Sequence, residues 1–174
     1  ARVRGAGKLT CGDCASSGCP GFWRCEYPTS GAGPIRMRQL LTHGAGFPED
    51  NPWGDRQLAT SDETLTSWLR QGLPFSTPPD TAFEYSNYGF ALLGRIVSKA
   101  SGVPYREYLE KEILAPLSMR ASTLDVNAVP AGVRATGYGK SGEECTEEPA
   151  LGHGAFGSMG GLLTSANGLG RSVG

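Results

Sequence analysis

The chain has 174 residues and a net charge of −1, enough polypeptide for one domain burying about 70% of its unfolded surface. It has no basic patch to serve as a nucleic-acid surface, and no run approaches the roughly 18 apolar residues of a membrane-spanning helix. Glycine and proline account for 38 residues, which points to a loop-rich globule rather than a low-complexity chain.

The first 33 residues stand apart from the rest. Four of the five cysteines fall here, at positions 11, 14, 19 and 25, among Gly, Ser and Pro and without helical or strand period. Thiolates at Cys11, Cys14, Cys19 and Cys25 could close a tetrahedral zinc site, or pair as disulfides in any of three connectivities. The second cysteine pair lacks the two-residue chelating step, and no histidine lies nearby. A third explanation is a reading-frame error or degenerate stretch between about Cys11 and Glu26. Residues 1 to 38 carry six basic and two acidic side chains, and the remainder ten and fifteen. The expected division is therefore an aberrant segment over 1–33 and a domain over 34–174, with no metal and no cofactor assigned.

From Pro34 to His43 the pattern predicts a short helix, with Pro34 at its start and Met37, Leu40 and Leu41 on its buried side. His43 ends it, and a structural imidazole is favoured there over a catalytic one. Gly44 to Gly54 is loop, with Trp53 as an anchor or a cleft residue. Thr60 to Gly72 predicts a helix opened by a Thr60–Glu63 capping box, packed through Leu65, Trp68 and Leu69, and stopped by Gly72 and Pro74.

The central helix begins after Tyr85, Ser86 and Asn87. Phe90, Leu92, Leu93, Ile96, Val97 and Ala100 recur at spacings of three and four, the period of one buried face. Asn87 is the expected N-cap, and Gly102 followed by Pro104 the stop. A phenol and a carboxamide two positions apart, fixed at the mouth of a buried helix, can point at one spot. Such a phenol can serve as a base when cations lower its pKa. A buried tyrosine with a satisfied hydroxyl, beside an ordinary asparagine cap, explains the same spacing.

Pro104 to Leu114 predicts a further helix, with Tyr105, Tyr108, Leu109 and Ile113 on one side. Val133 to Tyr138 is the expected strand in a loop-rich stretch whose acidic group, Glu143, Glu144, Glu147 and Glu148, reads as solvated. Ser158 fails the nucleophile-elbow pattern because Phe156 stands where glycine is required. Ser165 is the expected N-cap of a last helix starting near Ala166.

Three blocks in order carry a resemblance. Arg38 to Phe47 (RQLLTHGAGF) resembles "LLTHTSGL". Pro78 to Thr123 resembles the Pro-Gly, Tyr-Ser-Asn, Leu-Leu-Gly and Pro-Leu-Gly-Met region. Gly157 to Arg171 (GSMGGLLTSANGLGR) resembles "GGL-STA-DLAR". These are blocks of the beta-lactamase-related serine hydrolases, which include class C beta-lactamases, D-alanyl-D-alanine carboxypeptidases and allied esterases. Gly5 to Thr10 (GAGKLT) is also similar to a family stretch that follows the nucleophile's helix.

The resemblance implies an α/β serine beta-lactamase-like fold, here mostly its helical lobe. It implies acyl transfer on an amide, lactam or ester of a small-molecule or peptide-like substrate, in a periplasmic, cell-envelope or secreted setting. It also makes Tyr85 the proton shuttle and Asn87 the group that hydrogen-bonds the substrate's amide. The family's nucleophile is the Ser of a Ser-x-x-Lys motif, and none of Lys8, Lys99, Lys111 and Lys140 has serine three residues before it. Lys140-Ser141-Gly142 looks like the family's third motif but precedes the GGL block instead of following it, so it is read as a chance match. The chain alone is accordingly expected to be inactive. A non-catalytic binding module and a zinc-stabilised interaction domain remain as alternatives. Four positions depart from the pattern: Asp80 and Ser118 replace glycines, Ala45 a serine, and Gly168 an aspartate.

Overall fold

The computed structural model describes residues 9–18, 33–50, 55–72 and 74–173. Its helices are α1 (Ala15–Gly18), α2 (Met37–Leu41), α3 (Asp62–Gln71), α4 (Asn87–Ser101), α5 (Tyr105–Leu109), α6 (Gly157–Gly160) and α7 (Ala166–Val173), with one hairpin, β1 (Tyr138–Ser141) and β2 (Glu144–Glu147). Short 3-10 turns punctuate the loops at Asp55–Gln57, Val126–Ala128 and Ala131–Val133. The architecture is a helical layer built around α4, against which α1, α2, α5 and α6 pack.

Helix α4 forms because its sequence meets both end requirements. Ser86 is extended and its Oγ accepts the Gly89 N–H at 3.2 Å, so the cap is Ser86 and not the expected Asn87, which is the first helical residue. At the other end Gly102 adopts the left-handed conformation, φ 82°, and its N–H donates to the Ser98 carbonyl at 2.9 Å. Leu92 and Ile96 reach the interior as expected, joined by Ala91, whereas Phe90, Leu93 and Val97 are only half buried. The core these residues enter also contains Ile35, Leu40, Phe47, Leu65, Leu69 and Phe156, and each large side chain withdrawn from water contributes about 1.5–3 kcal/mol. At Gly94 helix α6 comes so close that a Cβ would lie 2.6 Å from the Ser158 Cβ. Ser158 itself donates to the Phe90 carbonyl at 2.7 Å, a packing role.

Helix α3 begins one residue later than its capping box predicts. Ser61 Oγ accepts the Thr64 N–H at 3.2 Å. Thr60 is engaged elsewhere, its carbonyl accepting the Ala155 N–H at 2.7 Å. Helix α2 is likewise shorter than expected, and Leu41 is 48% exposed instead of buried. The predicted helix over 104–114 is α5 followed by a π turn at Glu110–Leu114, a wider winding that leaves only Leu114 of this stretch fully buried.

The strand expected over Val133 to Tyr138 is displaced. Val133 closes a 3-10 turn opened after Pro130 and is 78% exposed, and β1 starts only at Tyr138. The antiparallel register pairs Tyr138 with Glu147 and Ser141 with Glu144, which places Lys140-Ser141-Gly142 at the tip of an exposed hairpin. Ser165 caps α7 as expected, its Oγ accepting the Gly168 N–H at 3.1 Å.

Within the N-terminal segment, residues 9–18 are bonded into the domain: the Ala15 N–H donates to the Ile35 carbonyl at 2.7 Å, and the Met37 N–H to the Asp13 carbonyl at 3.0 Å. Ala15 is fully buried. Cys11 and Cys14 are free thiols, while Cys19, Cys25 and Trp53 lie outside the described residues.

Among the described residues, three other than glycine have positive φ: His43 at 55°, Asp80 at 65° and Ser118 at 56°. Two of them, Asp80 and Ser118, stand where the family pattern has glycine. These two departures from the motif thus fall on backbone conformations that cost an L-residue about 1–2 kcal/mol.

Candidate functional site

The chain enters α4 through an extended stretch, and two loops from the α2 side bond it there. His43, directly after α2, accepts the Ser86 N–H on its Nδ1 at 3.0 Å. Its carbonyl accepts the Glu84 N–H at 3.0 Å. Asp50, in the following loop, accepts the Asn87 N–H on Oδ1 at 2.7 Å and the Tyr88 N–H on Oδ2 at 2.8 Å. With the Ser86 cap, four consecutive amides from Ser86 to Gly89 each donate to a side chain.

This bonding presents the Tyr85 ring to solvent. Tyr85 is 38% exposed and stacks on the His43 ring, with centroids 4.6 Å apart and planes 26° from parallel. Phe83 meets the same imidazole edge-on at 5.4 Å and Phe90 packs at 5.1 Å, so His43 is the centre of an aromatic cluster. Burial holds the His43 imidazole below its ordinary pKa, and the Asp50 carboxylate offsets this only in part. A neutral ring that accepts on Nδ1 carries its proton on Nε2. His43 is a structural imidazole in the sense expected, and it is also the surface against which the phenol rests.

Asn87, 5% exposed, lies two residues further on, in the first turn of α4. The structure therefore brings the phenol and the carboxamide to one helix mouth, the first at the surface and the second beneath it. Chemically, an exposed phenol held by its neighbours can pass a proton, and a carboxamide can donate and accept at once. The positive end of α4 favours negative charge at this point. Cavities formed by the described residues lie elsewhere. One of about 350 Å³ is lined by Phe47, Asp50, Trp68 and Tyr88, and an open groove of about 990 Å³ runs along Arg95, Ser98, Arg106 and His153. Neither includes Tyr85 or Asn87. No group of three or more His, Cys, Asp or Glu side chains among the described residues could hold a metal ion.

Sequence reasoning missed Asp50, which it left in a loop. An aspartate among Gly, Pro and Asn gives no local sign that it will meet amides 37 and 38 residues away.

The sequence model of the family described as Beta-lactamase matches residues 6–174. A putative D-alanyl-D-alanine carboxypeptidase of Escherichia coli (strain K12) is 29% identical over 123 residues, 68% of this chain and 28% of that protein. Among solved structures, the octameric penicillin-binding protein homologue from Pyrococcus abyssi superposes with a TM-score of 0.72 at 27% identity, covering 97% of this chain and 39% of its own. A class C beta-lactamase does so with a TM-score of 0.74 at 25% identity, covering 99% and 44%. The chain spans between 22% and 28% of the length of the first curated relatives it matches.

Proposed function

The chain belongs to the beta-lactamase family, and we propose that it carries one part of a serine-hydrolase site, in which Tyr85 moves the proton and Asn87 holds the substrate. In the proposed reaction a serine hydroxyl attacks an amide, lactam or ester carbonyl. The Ser O–C bond forms while the hydroxyl proton passes to the Tyr85 oxygen. That proton then goes to the leaving nitrogen or oxygen as its bond to carbon breaks. Water reverses the sequence and frees the acid. Asn87 donates to, or accepts from, the amide side chain of a small-molecule or peptide-like substrate.

The observation that carries this reading is the exposed phenol of Tyr85, set one residue ahead of the α4 cap and two ahead of a buried carboxamide. The proposed proton transfer needs negative charge on the phenol oxygen, which the positive end of the helix favours. The nucleophile is not supplied by this chain, whose four lysines all lack a serine three positions earlier. The same fact favours a second reading, a binding module with the family fold and no catalysis.

A labelled penicillin or phosphonate probe, followed by intact mass, separates these readings. The chain alone should show no acyl adduct, because losing a serine nucleophile costs about 10⁶ in rate; an adduct would refute that part. Expressed with its flanking coding sequence, the protein should acylate, and Tyr85→Phe should slow acylation by about 10²–10⁴. Failure to acylate with an in-frame Ser-x-x-Lys present would favour the binding module, and an unchanged Tyr85→Phe rate would remove Tyr85 from the chemistry.

A further inference from the structure

We propose that Asp50 is the positioning residue of this site, fixing where the Tyr85 ring and the Asn87 carboxamide stand by binding the backbone that carries them; the proposal rests on reading that turn as a site. Asp50 is 1% exposed, and a carboxylate is almost never fully buried without partners. Its partners are two successive backbone amides, Asn87 N–H on Oδ1 and Tyr88 N–H on Oδ2. Its own N–H points back to the Tyr85 carbonyl at 3.4 Å, so the loop grips the turn on both sides of Ser86.

Helix capping alone does not account for this arrangement. Ser86 already serves as the N-cap, and the first amides of a helix are commonly left to water. Withdrawing a carboxylate from water to serve them is unfavourable before its hydrogen bonds are counted. What the carboxylate adds over water is a fixed distance. With His43 accepting the preceding amide, the backbone from Ser86 to Gly89 has no free donor. Tyr85, immediately before it, is pressed against the His43 ring. Functional side chains need this kind of support to hold their geometry within about 0.5 Å.

The test compares Asp50→Asn and Asp50→Ala with the parent chain by NMR. If Asp50 positions the turn, the Asn87 and Tyr88 amide protons should move upfield. The Tyr85–His43 ring cross-peak should weaken by about half or more, while the methyl signals of Leu65 and Leu69 stay in place. A folded variant that keeps the Tyr85–His43 cross-peak at parental strength would overturn the proposal, whatever its melting temperature. Where Asp50→Ala and Asp50→Asn do not fold, Asp50→Glu keeps both acceptors and displaces them by one methylene, and the same cross-peak decides. The readout is ring geometry and does not depend on turnover, so failure of the acylation experiment leaves it intact.

Discussion

Ser118 and Asp80 share a left-handed backbone, φ 56° and 65°, yet exchanging each for glycine should move stability in opposite directions. At Ser118 the strain of a left-handed L-residue, about 1–2 kcal/mol, is relieved by glycine. The added freedom of the unfolded chain takes back about 0.4–1 kcal/mol. The side chain is exposed, so nothing else is lost, and Ser118→Gly should stabilise by about 0.5–1 kcal/mol. At Asp80 the backbone terms are similar, and aspartate bears this conformation better than most residues. Its carboxylate, however, accepts the Gln39 Nε2–H at 2.6 Å. A hydrogen bond to a charged group contributes about 1.5–3 kcal/mol, and Gln39 is itself buried. Asp80→Gly should therefore destabilise by about 1–2 kcal/mol. Urea unfolding followed by circular dichroism measures both; with a slope of about 1–3 kcal/mol/M the midpoints should separate by about 1 M. Midpoints that move in the same direction would refute the reasoning, because the two sites would then be governed by the backbone alone.

Burial holds both imidazoles of the chain, His43 and His153, below the ordinary histidine pKa. The unfolded chain thus takes up protons at about pH 6.5 that the folded chain refuses. Stability should be complete above that pH and fall as the pH drops through the window between the ordinary and the lowered values; equal urea midpoints at pH 7.5 and 5.5 would contradict this. Gly94→Ala should destabilise by about 1–3 kcal/mol through overpacking, since its Cβ would lie 2.3 Å from Ser158 Oγ. Ser158→Gly in the same chain should restore most of that loss, and strict additivity in the double-mutant cycle would show the contact is not shared.

The elements that the sequence by itself determined are those specified by short-range chemistry. The three- and four-residue spacing of Leu92 and Ile96 in α4, Leu65 and Leu69 in α3, the glycine stop at Gly102 and the serine cap at Ser165 act over one or two helical turns. The order of the LLTH, YSN and GGL blocks placed the family without coordinates. What it could not decide is which of several local options tertiary packing selects. Thr60 and Ser61 both suit a helix start, and the loop at Ala155 claims Thr60. Ser86 and Asn87 both suit the α4 cap, and Asp50 takes the Asn87 amide into the first turn.

The site shows the same limit. Tyr85 and Asn87 were visible as a spacing, but Asp50 reaches the Asn87 amide across 37 residues and His43 the Ser86 amide across 43. No periodicity spans such a distance. Only the folded chain brings a loop carboxylate and an imidazole to the mouth of α4, because their partners are backbone amides, which every residue but proline possesses and which therefore leave no mark in the sequence.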